Sequence, residues 1–125
     1  MLPAVSDAID EVRANFADQT VVNREDGEGG TYVIVEDVLL PAGYSVDRTW
    51  VGFRITFTYP NADVYPHYVR ADLVRLDGRP MPFGATTFEG RPALQVSRKS
   101  NRWDPRTDTA ALKLHKVLAW LTDPR

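Results

Sequence analysis

Not one of the 125 residues is cysteine, so disulfides, thiolate nucleophiles, cysteine-based zinc sites and iron–sulfur ligation are all excluded. Histidine is almost as scarce. Only His67 and His115 occur, too few for a dedicated transition-metal site, and no metal or cofactor is expected. Long apolar runs are missing as well: nothing approaches the roughly 18 residues of a membrane span. The N-terminal stretch Met1 to Asp7 lacks the basic and apolar parts of a signal peptide, so a soluble, cytoplasmic protein is the expectation. Phosphate-cradling P-loops, dinucleotide glycine fingerprints, paired zinc-binding histidines and the Gly-x-Ser-x-Gly elbow are also absent. At about 150 residues per domain the chain, 1–125, makes one domain, large enough to fold without staples.

What is present is unevenly distributed. Residues 1–47 carry ten acidic and two basic side chains, whereas residues 48–125 carry seven and thirteen. Arg91, Arg98, Lys99, Arg102 and Arg106 crowd a short stretch. This split predicts a dipolar surface able to orient a charged partner.

Apolar spacing places the elements. Val5, Ile9, Val12 and Phe16 step by helical intervals, with Asp7, Asp10, Glu11 and Arg13 on the other faces; Pro3 suits the first turn and Asp7 complements the helix dipole. Asp26-Gly27-Glu28-Gly29-Gly30 between Val21-Val22 and Tyr32–Val35 predicts a β-hairpin. In Trp50–Thr58, Val51, Phe53, Ile55 and Phe57 alternate with mostly polar residues, the mark of a strand with one covered face. Tyr68–Leu76 is a further expected strand, closed by Asp77-Gly78-Arg79-Pro80. From Pro80 to Pro105 periodicity fades and prolines recur, so a long irregular segment is expected. Thr107 or Asp108 then caps a last helix on the stripe Ala111, Leu114, Leu118 and Leu121, with Lys113 and Lys116 facing water. The order predicts an α+β fold with helices against one face of an antiparallel sheet.

Chemical constellations are sparse. His67, Asp63 and Ser97 can be imagined as a triad, although such triplets arise by chance in any chain. The basic segment 98–106, with Trp103 inside it, has the composition of a nucleic-acid contact; a solvated loop anchored by a buried tryptophan is the simpler reading.

The order of elements and two short motifs resemble the ubiquitin-conjugating (UBC, E2-like) fold. There, an N-terminal helix, a four-stranded antiparallel meander, an irregular active-site segment and C-terminal helices follow one another. The family's Tyr-Pro strand end is matched by Phe57-Thr58-Tyr59-Pro60, and its Trp-x-Pro before a helix by Trp103-Asp104-Pro105. A closer resemblance is to the bacterial prokaryotic E2-like family E, carried by Leu40-Pro41-Ala42-Gly43-Tyr44, the Tyr-Pro strand end, Ser97-Arg98-Lys99, and Trp103-Asp104-Pro105 with Asp108. That branch tends to have a histidine after its Ser-Arg pair, and Lys99 stands there instead.

The resemblance implies a place in a bacterial ubiquitin-like modification pathway, with antiphage defence one setting it could serve. It also locates a gap. The family's cysteine nucleophile lies about eight residues before the Trp of Trp-x-Pro, which is Gln95 here, and the upstream His-Pro-Asn motif is missing. The expectation is therefore a non-catalytic UBC-like protein that binds a ubiquitin-like protein or an activating-enzyme homologue. Its expected contacts are Asp7, Asp10 and Glu11 on the first helix and Arg98, Lys99 and Arg102; Tyr59, Pro60, Trp103, Pro105 and Asp108 are expected to shape the fold. Two alternatives stay open: an oxyester carrier using Ser97, with Ser100 the neighbouring hydroxyl and His67 or His115 as base, and a nucleic-acid-binding domain using 98–106.

Overall fold

The computed structural model describes residues 1–124. Helix α1 (Pro3–Asn15) is followed by strands β1 (Val21–Glu25), β2 (Thr31–Leu39), β3 (Arg48–Ile55), β4 (His67–Arg70), β5 (Gly84–Phe88) and β6 (Arg91–Val96), then helix α2 (Ala110–Trp120). The strands form one antiparallel sheet in the order β1-β2-β3-β4-β6-β5. This is the α+β arrangement that the sequence predicts, and it fits the UBC-like fold that the resemblance implies. Among the described residues no helix is long and apolar enough to cross a membrane.

The sheet has six strands rather than four, because the segment expected to be irregular contains the β5–β6 hairpin. Glu89 and Gly90 both take positive φ, 50° and 75°, the backbone a two-residue hairpin turn requires. Pro92 hid this strand. It lies opposite Thr87, next to the turn-closing pair Phe88–Arg91, and beyond the end of β4, so its missing N–H breaks no ladder. Strand β4 is in turn shorter than expected, ending at Arg70.

Strand parity sorts the side chains. Val33, Val35, Val51, Phe53, Ile55, Val69 and Val96 face the helices, where Val5, Ile9 and Val12 of α1 and Leu114 and Val117 of α2 complete the aliphatic core. The other face carries Tyr32, Ile34, Trp50, Tyr68, Phe88 and Ala93. The helix starts match expectation only in part. Pro3 opens α1, whose first turn contains no acidic residue, Asp7 lying one turn further in. Helix α2 is capped by Thr109, whose hydroxyl accepts from the Leu112 N–H at 3.1 Å. Asp108 is not free to cap it, because its carboxylate accepts from the Asp104 N–H at 2.7 Å.

Candidate partner-binding site

Two motifs distant in sequence become one unit. The Trp103 indole N–H donates to the Pro60 carbonyl at 2.7 Å, the Tyr59 ring lies 6.4 Å from that of Trp103, and the Tyr59 hydroxyl accepts from the Ala110 N–H at 3.2 Å. The exit of β3 thus fixes both the chain before α2 and the first residue of α2. The peptide bonds Tyr59–Pro60 and Tyr65–Pro66 are cis. Pro105 is exposed, between Asp104 and Arg106, which pair at 3.2 Å.

A buried ion pair anchors the basic segment from beneath. Lys113 Nζ donates to both oxygens of Asp63 at 3.0 Å and to the Ser100 hydroxyl at 2.6 Å, while the Ser100 N–H donates to Asp63 at 2.7 Å. Lys113 was expected in water, yet its side chain is 3% exposed. Burial pushes its ammonium below the ordinary lysine value, against the raising effect of the Asp63 bond. With all three of its protons engaged, the ammonium is electrostatically satisfied where it sits.

Gln95 lies on β6, half-buried on the face away from the helices, and its amide donates to the Ser97 hydroxyl at 3.0 Å. Neither histidine serves Ser97. His67 is fully buried on β4, opposite Val96 and 5.3 Å from the Phe53 ring, so it belongs to the helix-facing side. Both its ring nitrogens lack hydrogen-bond partners, and burial pushes its pKa down to about 3. His115 is on α2, stacked on Phe16 and bonded to Asn15. The sheet therefore separates His67 from Ser97, and Asp63 is committed to Lys113 and Ser100. The imagined triad is not assembled.

The expected contact residues fall as follows. Asp7, Asp10 and Glu11 are exposed on α1; Glu11 accepts from the Thr109 hydroxyl at 3.0 Å, tying the acidic helix to the start of α2. Arg98, Lys99 and Arg102 are exposed, the first over the Trp120 ring at 5.2 Å and the second over Tyr65 at 5.9 Å. Folding reduces the acid–base split of the sequence, since the two halves meet in ion pairs: Arg54 with Asp26 and Glu28, and Arg91 with Glu36. Sequence reasoning missed Lys113. Its signal was its position, three residues after Ala110 and four before Val117, inside the buried stripe.

A family model described as prokaryotic E2 family E matches residues 11–123. No curated protein matches, and no solved structure matches.

Proposed function

This chain belongs to the prokaryotic E2 family E, and from that premise we propose that it is a non-catalytic E2-like protein of a bacterial ubiquitin-like pathway. It binds a ubiquitin-like protein or an activating-enzyme homologue and does not transfer one. What supports this reading is the pair of groups near the place, at about Gln95, where the resemblance puts the family's cysteine. Gln95 offers an amide that cannot form a thioester, and the Ser97 hydroxyl beside it is bonded to that amide rather than to a base. A serine hydroxyl is un-ionised near neutral pH and needs such a base to attack.

Contact is made through Asp7, Asp10 and Glu11 on one side and Arg98, Lys99 and Arg102 on the other. Opposite charges at two places fix the orientation and association rate of a partner more than its affinity. Incubation with candidate ubiquitin-like proteins and activating-enzyme homologues from the same genome, plus ATP, provides the test. Reversible binding without a covalent adduct is expected. A hydroxylamine-labile adduct that disappears in Ser97→Ala, or no binding to any of these proteins, overturns the reading.

A further inference from the structure

Among the described residues, ten lysines and arginines stand in ion pairs with carboxylates, and four do not. One of the four, Arg48, donates instead to the Asp37 carbonyl at 2.9 Å. The other three, Arg98, Lys99 and Arg102, line a single cavity of about 370 Å³. Ser100 and Asn101 lie between them, Lys113 and Lys116 enter from α2, and Trp120 closes one side.

The carboxylates at this cavity are already spent. Asp108 accepts from Lys116 at 3.2 Å and from the Asp104 N–H, and Asp63 is held by Lys113 and Ser100. Five cations against these two carboxylates leave an uncompensated positive charge in a concave, partly enclosed place. Among the described residues every other guanidinium except that of Arg48 is supplied with a carboxylate; here the groups are left open.

We propose that this cavity is an anion-binding site for a small phosphate-bearing molecule with more than one negative charge. A single carboxylate would compensate only one of the open cations, whereas a phosphate chain compensates several and accepts paired N–H bonds from guanidinium groups. The Trp120 ring is not free to stack on a base, since Arg98 lies over it and Phe83 lies 5.7 Å away. Recognition therefore rests on the phosphates. Arg98, Lys99 and Arg102 also carry the protein contact proposed above, but the anion site takes a free small molecule and is tested on the isolated chain, without that partner.

The experiment is a titration of the ¹⁵N-labelled protein with inorganic tripolyphosphate at low ionic strength, read by amide and indole shifts. Saturable shifts confined to residues 98–102, α2 and the Trp120 indole are expected. Arg98→Ala and Arg102→Ala should each weaken binding about tenfold or more, the scale of one lost charged hydrogen bond. Arg79→Ala, at a guanidinium paired with Asp77, should leave binding unchanged. The absence of saturable shifts, equal affinity in the Arg98 and Arg102 variants, or hexaglutamate binding as tightly as tripolyphosphate would each overturn the proposal.

Discussion

On the helix-covered face of the sheet, valine, isoleucine and phenylalanine side chains close over one fully buried histidine and one buried lysine–aspartate pair. Among the described residues no helix lies on the other face, and the sheet covers itself there. Phe88 stacks between Tyr68 at 4.6 Å and Trp50 at 6.3 Å, while Arg24 and Arg54 lie over Tyr32 and Arg91 over Trp50. Those guanidinium groups are in turn held by Glu89, Asp26 and Glu36. Polar groups carry different weight on the two faces. Beneath the helices water is excluded, so a charge without its partner is expensive; on the open face water screens each pair and the aromatic contacts do the holding.

That contrast can be broken in graded steps. Lys113→Ala leaves the Asp63 carboxylate nearly buried and uncompensated, and should cost about 3–5 kcal/mol in chemical denaturation. Replacing both partners with apolar residues, Lys113→Met with Asp63→Leu, should recover much of that loss, because the buried charge disappears with its partner. Denaturation of the double variant no more stable than Lys113→Ala would show that the pair is not what burial makes costly.

His67 comes next, and its effect depends on pH. Its folded pKa of about 3 lies below the ordinary 6.5, so the unfolded chain takes up the proton first as pH falls. The stability tied to neutral His67 is complete above about pH 6.5 and is lost progressively toward pH 3, amounting to roughly 2 kcal/mol at pH 5. His67→Leu should remove this part of the slope, as measured by denaturant midpoints between pH 7 and pH 4.5. An unchanged slope would place the acid sensitivity elsewhere.

The open face responds to shape. A Cβ at Gly52 would lie 2.5 Å from the Phe88 ring, which Trp50 and Tyr68 hold from both sides, so Gly52→Ala should cost about 1–3 kcal/mol. Near-UV circular dichroism should change with it as the aromatic stack opens. The smallest effect is expected from Arg91→Ala, which removes a half-exposed pair with Glu36 and should cost under about 1 kcal/mol, less still in high salt. A larger loss there would mean that the open face depends on its ion pairs as the covered face does.

Much of this architecture was legible in the chain because its periodicities were clean. The alternation of Val51, Phe53 and Ile55 and the steps of Val5, Ile9 and Val12 each specify one buried face. The β5–β6 hairpin was not legible, since Gly84-Ala85-Thr86-Thr87 gives an edge strand no apolar alternation and Pro92 argues against a strand. Nor was the role of Asp63 legible. It meets a lysine fifty residues away, and no local pattern encodes such a contact. The motifs Tyr59-Pro60 and Trp103-Asp104-Pro105 were visible singly, while their hydrogen bond was not.

By itself the sequence settled that no thioester can form, because that chemistry needs a thiol and the chain has none. Only the tertiary structure decided what surrounds the hydroxyls of Ser97 and Ser100. Side chains alternate across a sheet, so His67 turned into the core while Ser97 stayed with Gln95 on the other side. Charge followed the same division: its amount was a property of the composition, but which cations found carboxylates and which three were left facing one cavity depended on contacts made across the fold.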